Sequence, residues 1–332
     1  MCIGQAVPLA PKVTDVVDIT PAVPTMDMAR SIDRGLTALA AMQVDDGSFG
    51  TGRYAQHAGV SALAGLAFMA DGNLPDRGRW AAHVRRLVDF LLVHIQPSGL
   101  IAATTSHGPM YGHGFATLLL AEIYGSSHRD EDVRDALTRA VDLIVQTQNE
   151  AGGWRYQPVP ADADISVTIC QVMALRSARN AGIGVPRATI DRAVTYVRGC
   201  QNEDGGFRYM LREGPGAWPR TAAGVATLHY AGIYEDEAIE RGLTWLITNA
   251  TPGTRTVRQS HWYYGQYYAV QAMHQAGGEQ WATWWPAARS TLIGRQSTSG
   301  AWVDPHVGAA YGTAMALITL QLPEGLLPIL QR

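Results

Sequence analysis

The chain has 332 residues, 47% of them hydrophobic and 17% charged, with a formal net charge of −3 and a pI near 6.4. This balance offers no basic footprint for nucleic acid, and so few charges imply that much of the helical surface is buried between layers. Cys2, Cys170 and Cys200 have neither metal-ligand spacing nor a disulfide pattern, and no apolar run reaches the roughly 18 residues of a membrane span.

Residues 1–28 hold Pro8, Pro11, Pro21 and Pro24 and show no periodicity. They read as an extended lead-in to one domain over 29–332. There is no basic stretch followed by an apolar core, so no signal peptide is expected. The compartment, cytoplasm or periplasm, stays open.

From there a repeat organises the chain. Each copy is a helix ending in Gln, then a Gly-rich turn closed by an aromatic or large apolar residue. The copies are Gln43-Val-Asp-Asp-Gly-Ser-Phe49, the shorter Gln96-Pro-Ser-Gly-Leu100, Gln148-Asn-Glu-Ala-Gly-Gly-Trp154, Gln201-Asn-Glu-Asp-Gly-Gly-Phe207, a degraded Asn249-Ala-Thr-Pro-Gly253, and Gln296-Ser-Thr-Ser-Gly-Ala-Trp302. A step of about 50 residues signals repeated supersecondary units. Glycine and Asn supply the left-handed conformations that end a helix. The Gln can bond free backbone groups there, and the aromatic can staple neighbouring repeats.

Two kinds of helix alternate. Before the Gln, Ile190, Ala193, Val194, Val197 and Cys200 mark one face, and Asp191, Arg192, Thr195 and Arg198 the other. Such a helix meets water on one side. After the turn, stretches such as 165–175, 224–228 and 309–320 are apolar or small almost all round, as in helices buried on both sides. Six such pairs predict an all-α closed double ring, an α6–α6 barrel; an open solenoid would need polar capping repeats, and neither end looks like one.

Over roughly residues 31 to 322 this repeat resembles that of the squalene–hopene cyclases. It is also similar to the wider class II terpene cyclases, protein prenyltransferase β subunits, and bacterial prenyltransferase/squalene-oxidase-repeat proteins. The resemblance implies a cavity whose mouth is lined by the N-terminal ends of the inner helices, here 53–59, 107–115, 162–168, 218–223, 260–268 and 305–313. These hold His57, His107, His113, His261 and His306, with Tyr54, Tyr111, Trp218, Trp262, Tyr263, Tyr264, Tyr267, Tyr268 and Tyr311. On that basis the candidate substrate-binding residues are His57, His113, Tyr111, Trp218, Arg220, His261, Tyr264, Tyr267, Tyr268 and Tyr311.

The one chemical signal is Asp162-Ala-Asp164-Ile-Ser166, opening the third inner helix. Class II cyclases carry Asp-x-Asp-Asp at the corresponding place, and its middle Asp protonates an alkene or epoxide. By position Asp164 inherits that role and Asp162 supports it. Burial and a neighbouring like charge both raise a carboxyl pKa, and aromatic walls stabilise a carbocation by cation–π attraction. The fourth motif position is Ile165, and the chain has room for one barrel where the larger squalene cyclases have two. The same pair reads alternatively as an N-cap, Asp162, and a first-turn acid, Asp164.

The resemblance implies no redox cofactor. A convergence of His57, His113 and His261 with Asp164 on a metal is the weaker reading, because ligand spacing and the Asp-x-Cys pair of the prenyltransferases are both missing. One of these histidines could instead orient Asp164 or take the final proton. Arg220 could hold a diphosphate, pair with Asp164 or lie on the surface. No second aspartate-rich cluster is present, which favours a neutral isoprenoid. The expected activity is proton-initiated cyclisation of an apolar isoprenoid. The alternatives are a non-catalytic barrel binding a lipid or protein partner, and a prenyltransferase-like enzyme. Peripheral membrane contact and a homodimer are compatible with either.

Overall fold

A computed structural model describes residues 25–105, 107–127, 129–253 and 261–331. Cys2, Ser260 and the greater part of the expected lead-in, residues 1–24, lie outside them. Among the described residues there are twelve α-helices and no β-strand. The first, α1 (Met26–Ala40), is capped by Thr25, whose hydroxyl accepts from Met28 N at 3.3 Å. Helix therefore begins inside the segment expected to be extended.

Six helices form an inner ring: α2 (Ala58–Ala70), α4 (Met110–Ile123), α6 (Ile165–Asn180), α8 (Trp218–Tyr230), α10 (Trp262–Ala276) and α12 (Ala309–Gln321). Each packs on the next, and α12 packs on α2, which closes the ring. All of α2 is buried, as an inner helix must be. Outside lie α1, α3 (Ala81–Val93), α5 (Asp130–Gln146), α7 (Arg187–Gly199), α9 (Glu237–Ala250) and α11 (Gly278–Arg295). They bury one face only. The expected α6–α6 barrel is what forms. No helix among the described residues is long and apolar enough to cross a membrane.

The repeated Gln acts as a clamp between repeats. Gln148 Nε2 donates at 2.8 Å both to Gly152 O in its own turn and to Thr189 O at the start of the next outer helix. Gln43 does the same to Gly47 O and His83 O, and Gln201 to Gly205 O and Ala238 O. Gln296 donates to Gly300 O and to Ser31 O at 2.8 Å, so the last repeat is tied to the first helix. Glycine is obligatory within these turns: Gly152 has φ of 100°, and a Cβ there would lie 2.2 Å from Arg192 O. The closing aromatics Phe49, Trp154, Phe207 and Trp302 are buried. Their N–H groups donate to Ser61, Thr168, Thr221 and Thr313 hydroxyls on the inner helices. Among the described residues Asn249, in the degraded copy, donates from its side chain only to Trp245 O within its own helix, at 2.8 Å.

At the C-terminal ends of α4 and α6 the last residues of the chain form a cover. Leu327, Ile329 and Leu330 are buried, and Ile329 N donates to the Glu122 carboxylate at 3.2 Å. Ser177 donates to the other Glu122 oxygen.

Candidate active site

Two adjoining lobes of about 470 and 450 Å³ lie at the N-terminal ends of the inner helices, sharing Tyr111, Tyr156, His261 and Tyr264 as a common wall. Each is in the size range of small-molecule sites. The first lobe carries four imidazoles, His57, His107, His261 and His306, with Arg53 and Tyr54; one turn further in come Leu63, Phe115 and Tyr311. The second carries Tyr209, Trp218, Arg220 and Ser166 beside the shared tyrosines.

His57 caps α2: its Nδ1 accepts from Gly59 N at 3.2 Å and Val60 N at 3.4 Å. Burial lowers its pKa to about 4, so the ring is neutral at neutral pH, with its proton on Nε2. Its one basic lone pair is therefore already used, and His57 can only donate to the cavity. His261 enters α10 with a left-handed backbone, φ 54°, and its ring stands 6.3 Å from that of His306. Trp218 packs against α10 where Gly265 leaves space, since a Cβ there would fall 2.2 Å from the indole.

Asp164 is fully buried and is itself the N-cap of α6. Its Oδ1 accepts from Ser166 N at 2.9 Å, Val167 N at 3.0 Å and Ser166 Oγ at 2.5 Å. Its Oδ2 accepts from the Tyr209 phenol at 3.1 Å. Burial raises its pKa above the ordinary carboxylate value, against the lowering effect of these donors. The Arg155 guanidinium stands 3.7 Å from Oδ2 and pairs with Asp162 on its other side. The capping residue is thus Asp164 and not Asp162, which is half exposed at 49% and faces water. The guanidinium next to Asp164 belongs to Arg155; Arg220 instead lines the second lobe, 5.9 Å from the Tyr209 ring.

Seven of the ten expected substrate-binding residues line the cavity: His57, Tyr111, Trp218, Arg220, His261, Tyr264 and Tyr311. Three do not. His113 is the fourth residue of α4, where α2, α6 and α8 have Ser61, Thr168 and Thr221. It does the work of those hydroxyls, accepting from Ile101 N at 3.1 Å through Nδ1 and donating to Ala140 O at 3.3 Å through Nε2. Both nitrogens are used and the ring is fully buried, which pushes its pKa down to about 4. Tyr267 packs edge-on against Phe115 and Tyr268, and Tyr268 is buried against the Cys170 thiol at 3.4 Å. Of the aromatic run on α10, it is Tyr264 that turns to the cavity. Among the described residues no cluster of three His, Cys, Asp or Glu could hold a metal.

Sequence reasoning missed Tyr156, Tyr209 and Arg155. A signal existed: Gly152-Gly-Trp-Arg-Tyr156 and Gly205-Gly-Phe-Arg-Tyr209 are the same pentapeptide apart from the aromatic. The residue two after the closing aromatic reaches the cavity in each, and Asp304 does so after Trp302. The backbone holds them there. Tyr156 O accepts from Met110 N at the start of α4, and Tyr209 O from Ile165 N at the start of α6.

No family model matches the chain. Over 183 residues it is 28% identical to the drimenyl diphosphate synthase of Streptomyces showdoensis, a stretch covering 53% of this chain and 33% of that enzyme. Among solved structures, the type II terpene cyclase MstE from Scytonema superposes with a TM-score of 0.64 at 17% identity, over 91% of this chain and 99% of that one. A complex of an MstE variant with geranylgeranyl dihydroxybenzoate gives 0.62 at 16% identity, over 91% and 98%. The cellobiose 2-epimerase of Bacillus thermoamylovorans gives 0.67 at 11% identity, over 90% and 99%. At such identities the structural likeness shows the α/α barrel alone, a fold shared by unrelated chemistries. The sequence likeness to the synthase spans about half of this chain and a third of that enzyme, and the chain is an α/α-barrel protein similar to terpene cyclases.

Proposed function

We propose that this barrel starts the cyclisation of an isoprenoid by protonating a carbon–carbon double bond, with Asp164 as the acid. One observation carries the reading. A fully buried carboxyl, its pKa raised by that burial, lies behind Ser166 and Tyr209 of a lobe walled by Tyr111, Tyr156, Tyr209, Trp218 and Tyr264. Five aromatic faces can stabilise a migrating cation at ~1–2 kcal/mol each without forming a bond to it. The carboxylate left behind is stabilised by the two backbone N–H groups of the α6 N-terminus, the Ser166 hydroxyl and the nearby Arg155. His261 faces both lobes, and with His57 already committed as a cap it is the imidazole placed to take the final proton.

The first lobe suits the polar head of the substrate. His57 offers an Nε2–H, and Arg53, His107, His261 and His306 add further donors. This favours an isoprenoid with an anionic head, such as a diphosphate, over the neutral hydrocarbon that the missing aspartate cluster favoured. The diphosphate product named for the Streptomyces relative supports the same choice.

The competing reading is a barrel that binds a lipid or a protein partner without turnover. It is favoured by the capping bonds of Asp164, which account for its position with no catalysis. Incubation with squalene, oxidosqualene, farnesyl diphosphate and geranylgeranyl diphosphate, followed by mass spectrometry, separates the two. A cyclised product that disappears in Asp164→Asn is expected. No product from any of the four, with the protein shown folded, would leave the binding reading.

A further inference from the structure

We infer that Tyr209 is a second catalytic residue, whose phenol carries the proton from Asp164 to the substrate. The inference rests on the cyclase reading above. It starts from a fact of geometry: Asp164 has no exposed surface, while Ser166 and Tyr209 both line the second lobe. These are also the two side chains whose hydroxyls bond its carboxylate. They are the hydrogen-bonded routes for a proton from Asp164 to the cavity.

The two routes differ. Oδ1 faces two backbone N–H groups, at 2.9 and 3.0 Å, which cannot reverse direction. A proton placed on Oδ1 would confront both. The acid proton therefore belongs on Oδ2, whose hydrogen-bond partner is the Tyr209 phenol; Arg155 Nε, at 3.7 Å, is beyond bonding distance. A phenol can both accept and donate. When Oδ2 carries the proton, Tyr209 accepts it and its own O–H is released toward the cavity or toward the Tyr156 phenol beside it. The Ser166 route leads through Oδ1 to Tyr111 and serves the carboxylate form, as a donor at 2.5 Å.

The step balances. The Asp164 Oδ2–H bond breaks as that proton moves to the Tyr209 oxygen. The former Tyr209 O–H bond breaks as its proton forms a C–H bond with the alkene π pair. The carbocation stays on the substrate and the negative charge on Asp164. Tyr209 is neutral before and after. Burial raises the phenol pKa above its usual value and so disfavours a phenolate intermediate, and in the relay the two transfers occur in one step. The Arg155 and Arg220 guanidiniums, each 5.9 Å from the ring, oppose a protonated phenol in the same way.

The test uses the whole protein with farnesyl and geranylgeranyl diphosphates. Tyr209→Phe should lower kcat at least 100-fold with KM within about threefold in a protein that stays folded by circular dichroism, because the ring still fills its place. The rate of the wild type in mixtures of light and heavy water should fall along a bowed curve, the sign of two protons in flight. A Tyr209→Phe variant with kcat within threefold of wild type, or a straight line in mixed water, overturns the relay and leaves Asp164 as the acid. Product that survives Asp164→Asn overturns the acid itself, and no product from the wild type overturns the cyclase reading together with the relay. A substrate-free readout is the infrared carbonyl stretch of the protonated carboxyl that vanishes in Asp164→Asn. It should shift in Tyr209→Phe and stay in Tyr111→Phe; the opposite pattern sinks the assignment of the proton to Oδ2.

Discussion

Asp162 and Asp164 stand two residues apart and occupy opposite environments. The Asp162 carboxylate is half exposed and paired with Arg155, while the Asp164 carboxyl has no exposed surface and caps α6. The segment around Asp164 is extended, with φ −136° and ψ 158°, and the turn into the helix sends the second acid inward. Arg155 links the two, neutralising the acid that water already solvates and standing just outside bonding distance of the one it does not.

Neutralising each acid should therefore give unequal results. Asp162→Asn removes one partner of an exposed pair, an interaction worth ~0–1 kcal/mol, and should leave the rate of product formation within about tenfold. Asp164→Asn keeps a capping side chain and so keeps the fold, but removes the acid; a loss of ~10³-fold or more is expected. Equal losses from the two, measured by product yield under identical conditions, would show that the pair acts as a unit.

The same substitution has a stability signature. The folded pKa of Asp164 lies above its unfolded value because of burial. The native state then holds this proton longer than the unfolded chain does. Stability falls as pH rises through the window between the ordinary carboxylate value and the raised one, and the ionised form remains a cost above it. Asp164→Asn removes that cost, so at pH 8 the variant should melt at or above the wild-type temperature, as when an active-site residue is neutralised at the expense of function. A clear drop in melting temperature would mean that the charged carboxylate is the better cap.

Gly265 sets the shape of the second lobe. A Cβ at that position meets the Trp218 indole at 2.2 Å, so Gly265→Ala must push the indole toward the cavity it lines. Overpacking of this kind costs ~1–3 kcal/mol. The expected outcome is a melting temperature lowered accordingly and an altered ratio of cyclised products. An unchanged product ratio at full activity would mean that Trp218 does not contact the reacting chain.

The barrel was legible because its repeat rests on stringent local demands. Only glycine fits at Gly152, only a side chain of Gln's reach spans Gly152 O and Thr189 O, and inner helices such as α2 have no polar face. The site was legible only in part. Asp164 was found, but one turn boundary was displaced, so the cap was assigned to Asp162. His113 was misread because an imidazole there replaces the hydroxyl that four other repeats use, an exchange visible only when the helices are superimposed. Tyr267 and Tyr268 were misread because every face of α10 is buried and only one faces the cavity. Tyr156 and Tyr209 come from irregular segments, where no periodicity points inward and the backbone bonds to Met110 and Ile165 decide.

The clamps should not be equivalent. Gln148→Ala leaves the buried carbonyls of Gly152 and Thr189 without their donor, at roughly 1–3 kcal/mol for each group left unsatisfied. Asn249→Ala removes one exposed bond within a helix, and surface changes of this kind stay within about 0.5 kcal/mol. Urea unfolding midpoints should therefore fall markedly for the first and hardly move for the second. Similar midpoints for both would show that the Gln clamp is not what holds the repeats together.

Acid should loosen the barrel through His57 and His113, against the opposing effect of Asp164, whose raised pKa adds stability as pH falls. Burial holds both His57 and His113 at about 4, against 6.5 for a free imidazole. Between those values the unfolded chain binds protons that the native state refuses, so stability falls as pH drops from about 6.5 to about 4 and levels off below. The difference amounts to ~3 kcal/mol at most for each ring. Protonation of either ring also turns the accepting Nδ1 into a donor that faces backbone N–H groups, at Gly59 and Val60 for His57 and at Ile101 for His113. His113→Thr installs the hydroxyl found at this place in α6 and α8. It should cost stability at pH 7, because Ala140 O loses its donor and the smaller side chain leaves space. It should also reduce the dependence of the unfolding midpoint on pH between 6.5 and 4. A slope identical to wild type would mean that His113 is already protonated in the native barrel, and that its two hydrogen bonds are not those described above.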